Sequence, residues 1–446
     1  MRRLRALFPE ELVVIGVHSP KFPTEKITAN VRAAVARHGI EHPVVNDADF
    51  AIWNEYAVRA WPTLVLIDPQ GKIVGQQAGE ISADDFAQVI GAMVEDFGAQ
   101  GLINHIPLPG LEPPTDKPPQ LLEYPSKLLL ASGGRLFVSD TGHNRILEVQ
   151  LSLDGLSGEL VRVFGTGEPG LTDGHITAAR LSGPHGLALV EAETGATLYV
   201  ADTENHAIRA VDLVRETVAT VAGTGEIGRA LRDADLTPTA VDLRSPWALV
   251  AIGDLLFIAM AGSHQVWVLI EQNRLAVFAG NGREALVDGP RYEASFNQPS
   301  DLVLDMGHLF VVDAEASAIR AISLQENAQV HTLIGQGLFE FGDIDGTGAD
   351  VRLQHPTGLC SDGQLIYIAD SYNHKIKTLD PATGAVQSLI GTGEPGSADG
   401  DFAEATLYEP EGVAFTDGRL YIADTNNHLI RVADLTTRQV HTLALS

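Results

Sequence analysis

A short polar segment returns along this chain: "SDTGHNR", "ADTENHA", "AMAGSHQ", "VDAEASA", "ADSYNHK" and "ADTNNHL". Its anchoring positions are Asp140, Asp202, Met260, Asp313, Asp370 and Asp424, at intervals of 53 to 62 residues. A period of that kind constrains the fold more than any other feature, because a repeated unit too small to bury its own apolar face must stack on its neighbours. Each unit opens on a proline dipeptide and an apolar run, as in "GPHGLALV", "QPSDLVLD" and "EPEGVAFT". A second strand such as "LYVAD" follows, then the polar turn, then "AIRAVD" or "LIRVAD", and finally an outer strand such as "VATVAG". Four short alternating strands per unit make a propeller blade, and no amphipathic helical pattern after residue 124 supports a helix-covered parallel sheet instead.

In "ADTNNHLIRV" the chain must reverse within a few residues, so Asp424 is expected to accept hydrogen bonds from its own turn amides while Asn427 takes a left-handed backbone. Asp140, Asp202, Asp313, Asp370 and Asp424 therefore read as structural turn residues. Replacing Asp202 or Asp424 by Ala is expected to cost about 1 kcal/mol, the scale of a lost cap.

These units closely resemble the NHL repeat, on Asn427-His428-Leu429 and on "TENHAIR" and "SYNHKIK"; "TGHNRIL" reads as shifted by one residue, and "AGSHQVW" and "AEASAIR" as degenerate. The resemblance runs from about Tyr124 to the C-terminus and implies a six-bladed β-propeller over 124–446. The family includes binding scaffolds and a few lyases and hydrolases, so the fold by itself leaves the activity open.

The long connections between units carry Asp173, Asp288, Asp345 and Asp399, each followed by Gly. Asp-Gly is a common turn dipeptide, and carboxylates spread over separate blades do not converge as a metal site must, so the turn reading is preferred. "GTGEPG" lacks the Lys-Ser/Thr ending and following helix of a phosphate loop. The residues just after the prolines should ring the channel mouth: Ser126, His185, Trp247, Ser300, Thr357 and Glu411, with Lys127, Asp301 and His355 beside them. An aromatic, two histidines and carboxylates in one cavity would suit a small molecule; the plainer expectation is a solvated channel mouth. His185 and Glu411 alone are a weak match to the His, Asn or acidic metal set of propeller hydrolases and lyases, so no metal or other cofactor is expected.

Residues 1–100 alternate strand and helix patterns: "ELVVIGVHS" reads as a buried strand, "TEKITANVRAAVARHG" as a helix, "PTLVLIDPQG" with "KIVGQQAGE" as a hairpin, and "ADDFAQVIGAMVEDFG" as a closing helix. Leu4 and Leu7 of the first helical segment should pack on the sheet. The order resembles a thioredoxin-like fold, with Trp61-Pro62-Thr63 matching that family's cis-proline loop. The resemblance implies a Cys-x-x-Cys pair preceding "LRALFPEE", expected upstream of Met1. The chain's single cysteine, Cys360, allows no dithiol and no internal disulfide. Pro-rich "PLPGLEPPTDKPPQ", within 101–123, reads as a semi-rigid linker.

With 58 acidic against 30 basic residues and a net charge of −28, the chain would repel phosphate backbones and anionic headgroups, so neither nucleic acid nor membrane is expected as a partner. No apolar run approaches the ~20 residues of a membrane span, and Pro9, Glu10 and Glu11 stand where a signal peptide needs an apolar core, so a cytoplasmic location is expected. The fold class expected is multidomain, a partial thioredoxin-like α/β domain followed by an all-β six-bladed propeller. The leading functional expectation is a non-enzymatic interaction scaffold, binding a protein or small-molecule ligand at the propeller face. The alternatives are a thiol-disulfide oxidoreductase whose reactive pair lies upstream, and a channel-mouth metal-dependent hydrolase or lyase.

Overall fold

The computed structural model describes residues 1–446 except 80–82, 106–119, 193–194, 233–234 and 326. Most of the expected linker therefore lies outside the described residues. The chain divides into two compact units, Met1–Pro119 and Gln120–Ser446.

In the second unit, six antiparallel sheets of four or five strands follow one another. Blade 2 shows the pattern: an inner strand Pro184–Ala192, a second strand Gly195–Asp202, a third Ala207–Asp212 and an outer Thr217–Ala222. The inner strands of successive blades are neighbours all the way round, and the sixth meets the first. The period-two alternation explains the stacking, because each strand sends successive side chains to opposite faces. In blade 1, Phe137 joins the apolar cluster shared with blade 2, while Leu136 and Val138 join the cluster shared with blade 6. Six such clusters fill the six seams. The ring closes with Ala444–Leu445 running parallel along the outer strand of blade 1, Ala444 opposite Ser157.

Each long connection first pairs with the outer edge of the blade it is entering, as Gly174–His175 does with Thr217–Val218, and only then dives to the channel. That detour places each Asp-Gly dipeptide beside the third and outer strands of its blade.

The first unit has helices α1 (Arg2–Leu7), α2 (Thr28–Arg37), α3 (Ala51–Glu55) and α4 (Ala83–Ala99). Its strands form two separate pairs, β1 (Gly16–His18) parallel to β2 (Val44–Asn46) and β3 (Thr63–Ile67) antiparallel to β4 (Ile73–Ala78). The expected buried strand over "ELVVIGVHS" is a three-residue strand whose Val17 is 43% exposed, with Val13 and Ile15 before it also exposed. A strand paired on one edge only cannot cover those side chains. Leu4 is buried as expected, whereas Leu7 is exposed.

Candidate functional site

The polar turn is a node of buried charge. Each anchoring Asp ends a second strand and is fully buried. In blade 2, Asp202 Oδ1 accepts the Ser182 N–H at 2.7 Å, and Oδ2 accepts Asn205 Nδ2 and Arg209 Nη1, both at 2.8 Å. The donors are thus the incoming connection, the turn asparagine and a buried cation, not the turn amides that sequence suggested. The other arm of Arg209 donates to Asp173 at 2.7 Å, and Asp173 also accepts from the Thr220 N–H and hydroxyl. Asp288–Arg320–Asp313 and Asp399–Arg431–Asp424 repeat the arrangement in blades 4 and 6. Asp173, Asp288 and Asp399 thus do bind a cation, and it is the protein's own guanidinium. A planar fork satisfies two carboxylates at once. The signal was present in sequence as a basic residue seven positions after each of these aspartates.

The variant blades follow from the same chemistry. In blade 5 the fork is replaced by the ammonium of Lys377, fully buried, which recruits an extra carboxylate: Asp343 lies at 2.6 Å, Asp345 at 3.2 Å and Asp370 at 3.5 Å. In blade 1, Asp140 takes His143 and Arg145 at 2.8 and 2.7 Å. Blade 3 dispenses with the pair altogether, placing Met260 where the Asp stands and Trp267 where the Arg stands, both buried in one apolar cluster. Replacing a buried ion pair by packed apolar side chains is a neutral or stabilising exchange.

Burial is the largest influence on the Asp370 and Asp424 carboxyls, pushing both up to about 6 despite their cations and hydrogen bonds. Partial burial also works to raise Asp173, Asp288, Asp345 and Asp399, but the outer-strand N–H and hydroxyl donors and the buried cation outweigh it and hold them below the ordinary carboxylate value.

The left-handed residue of each turn is not the asparagine expected. It is His206, His264, His374 and His428, with Asn144 in blade 1 and Ser317 in blade 4, at φ between 48° and 58°. "TGHNRIL" is consequently unshifted: His143 takes the asparagine's bond to the Asp, and Asn144 takes the histidine's place. From that place each side chain accepts an N–H of the next blade. His206 Nδ1 accepts Ser245 at 3.1 Å, His264 accepts Gln298 at 3.3 Å, His374 accepts Glu409 at 3.1 Å and His428 accepts Tyr124 at 3.1 Å. Asn144 Oδ1 accepts Gly183 at 3.0 Å and Ser317 Oγ accepts His355 at 3.2 Å.

At the channel mouth, Lys127 of blade 1 reaches across to Asp301 of blade 4 at 2.8 Å and to the Thr357 carbonyl of blade 5 at 2.5 Å. Asp301 Oδ2 also accepts the Leu359 N–H at 2.9 Å. Burial lowers the Lys127 ammonium from its ordinary value while Asp301 opposes that shift. At the same register, blades 2, 5 and 6 carry Gly186, Gly358 and Gly412, where a Cβ would lie 2.1 to 2.5 Å from the next blade's backbone. His185 is turned onto Trp247, ring centroids 4.3 Å apart, with its Nδ1 2.9 Å from the Gly183 carbonyl. Ser126 and Thr357 pair with the turn hydroxyls Thr141 and Ser371 of their own blades, at 2.6 and 2.5 Å. Ser300, opposite Ala314 in blade 4, lacks that hydroxyl partner. Glu411 is buried, its carbonyl 3.4 Å from Thr357 Oγ1. His355 stacks on Tyr372 and bonds Glu315 at 3.1 Å, on the seam between blades 4 and 5. The structure therefore joins His185 with Trp247 and Lys127 with Asp301, and holds His355 in a separate cluster. Among the described residues, the His/Cys/Asp/Glu group with ligand atoms all within 4.8 Å is Glu10, Glu11 and His105, in the first unit.

In the first unit the Trp61–Pro62 bond is cis. Trp61 is 46% exposed, stacks on Trp53 at 4.4 Å and donates Nε1–H to the Ser19 carbonyl at 2.8 Å. Thr63 Oγ1 donates to the Ala60 carbonyl at 2.6 Å.

Six blades, three of them on Asp-x-x-Asn-His turns and three on variants of that turn, in a chain that also carries an α/β unit with a cis-proline loop, define an NHL-repeat propeller chain with a thioredoxin-like domain. Family models agree, a thioredoxin-like domain matching residues 11–93 and the NHL repeat matching residues 353–379 and 407–433. The chain is 42% identical over 441 residues to Protein SUPPRESSOR OF QUENCHING 1, chloroplastic, of Arabidopsis thaliana, covering 95% of this chain and 41% of that protein. It is 38% identical over 470 residues to the human NHL repeat-containing protein 2, covering 97% of this chain and 63% of that one. Protein DipZ of Mycobacterium tuberculosis is 41% identical over 69 residues, 16% of this chain and 10% of the other. The chain thus spans less than two thirds of the length of these relatives. Among the described residues, no helix is long and apolar enough to cross a membrane.

Proposed function

We propose that this chain is a non-enzymatic binding scaffold, acting in the cytoplasm, whose ligand surface is the propeller face built from the long connections. The observation that carries this reading is that the long connections repeatedly expose large apolar side chains, Ile227 at 66%, Phe339 at 64%, Ile344 at 53% and Tyr292 at 53%, whereas the more exposed Leu153 and Val214 stand singly in short turns between third and outer strands. Exposed apolar surface on loops held by a rigid scaffold is where partners bind. The channel-mouth side chains support the same reading, since Lys127–Asp301 spans the channel and the two histidines are held in separate clusters, His185 on Trp247 and His355 on Tyr372 and Glu315. The acidic surface favours a partner with basic groups. Affinity capture of the full chain tests it: Ile227→Lys with Phe339→Lys should strip specifically bound protein while Leu153→Lys on the opposite face leaves it bound. Equal retention by both variants overturns the reading.

A second reading, thiol-disulfide exchange by a longer protein that contains this chain, is favoured by the thioredoxin-like match over 11–93. Insulin reduction by the longer protein, absent from the 446-residue chain, would support it.

A further inference from the structure

The six seam acceptors are not equivalent toward acid. Nδ1 of His206, His264, His374 and His428 can accept a backbone N–H only while that nitrogen is unprotonated, which fixes the neutral tautomer with its proton on Nε2. Asn144 and Ser317 do the same work with oxygens that do not titrate. The histidine seams are therefore 2/3, 3/4, 5/6 and 6/1, and the fixed seams are 1/2 and 4/5. Blades 3 and 6 are each flanked by histidine on both sides. The fixed pairs, 1–2 and 4–5, are also tied to one another across the channel by Lys127, which bonds Asp301 in blade 4 and Thr357 in blade 5.

We propose that the propeller is an acid-responsive ring in which protonation of the four seam histidines releases blades 3 and 6 from their neighbours, while blades 1–2 and 4–5 stay joined as a cross-braced frame.

The groups around each histidine set its response. His374 packs edge-on to Tyr408 and accepts from Glu409 of blade 6, and on its own turn Asp370 is engaged by Asn373 and Lys377. Burial brings its pKa down from 6.5 to about 4. His428 lies against Tyr124, ring centroids 4.4 Å apart, with Glu123 next in chain; on its own turn Asp424 is held by Arg431. His206 accepts from Ser245, beside Arg244, and its own Asp202 is held by Arg209. His264 accepts from Gln298, beside Asn297, and its turn carries Met260. For His374, a folded pKa below the unfolded one gives stability that is complete above pH 6.5 and is lost as pH falls toward 4.

Amide hydrogen exchange on the full chain, corrected for intrinsic rates, tests the proposal with internal controls. Between pH 7 and pH 5 the Glu409 amide should lose protection by about twentyfold, the opening factor for a histidine moving from pKa 4 to 6.5, and Tyr124, Ser245 and Gln298 should lose it too. Gly183 and His355 should hold. His374→Asn, which copies Asn144, should abolish the response at Glu409 alone. Equal loss at all six amides, no loss at any, or an unchanged response in the variant overturns the proposal.

Discussion

Lys127 and Asp301 stand in opposite blades, 174 residues apart in sequence, and meet at 2.8 Å across the channel. Neither is more than 12% exposed at its side chain, so removing one partner leaves a buried charge uncompensated. Lys127→Met should lower stability by about 3–5 kcal/mol in urea unfolding of the propeller. Adding Asp301→Asn should recover part of that loss, because Asn can still accept the Leu359 N–H. Strictly additive losses would mean that the two side chains do not interact.

The anchoring aspartates should be costlier to remove than a turn cap. Asp424 accepts three donors: the Tyr408 N–H of the incoming connection, Asn427 Nδ2 and Arg431 Nη1. Asp424→Ala is expected to cost about 3–5 kcal/mol, against the ~1 kcal/mol of a lost cap. A denaturation midpoint showing only the smaller loss would return the residue to a simple turn role.

Blade 3 supplies the converse experiment. Met260→Asp would bury a carboxylate with Trp267 where blades 2, 4 and 6 hold a guanidinium, and should cost about 3–5 kcal/mol. Met260→Leu should be nearly neutral. Similar midpoints for the two variants would show that the site admits water or a cation.

The carboxyls of one node should respond to pH with opposite signs. Asp399 is held low, so its contribution to stability is present above the ordinary carboxylate value and is lost as pH falls through its depressed pKa. Asp424, pushed from 3.8 to about 6, contributes most below 3.8 and loses that contribution as pH rises through about 6. Asp399→Asn should therefore flatten the acid limb of a stability profile, and Asp424→Asn the limb between pH 4 and 6. Identical changes from both variants would contradict the burial difference.

Much of the fold was legible because its cause is local. The six-unit period, the alternation that sends Phe137 one way and Leu136 the other, and the proline that opens each inner strand all act within a few residues. What was not legible depends on approaches between distant segments. The bond from Arg209 to Asp173 spans 36 residues, and its logic appears only once the connection is seen to pair with the outer strand. Similarly, Lys127 and Asp301 share no local pattern, and His355 reads as a channel residue until its left-handed backbone sets it against Glu315 and Tyr372. The exposed Val17 shows the opposite error, an apolar run taken as buried though its strand has one partner.

The scaffold reading turns most directly on the metal and ligand chemistry of the channel. Elemental analysis of the purified chain, paired with His185→Ala and Glu411→Gln, measures it. The account predicts that neither substitution changes the metal content. Stoichiometric zinc or calcium that disappears with either one would contradict it and assign the channel mouth to catalysis.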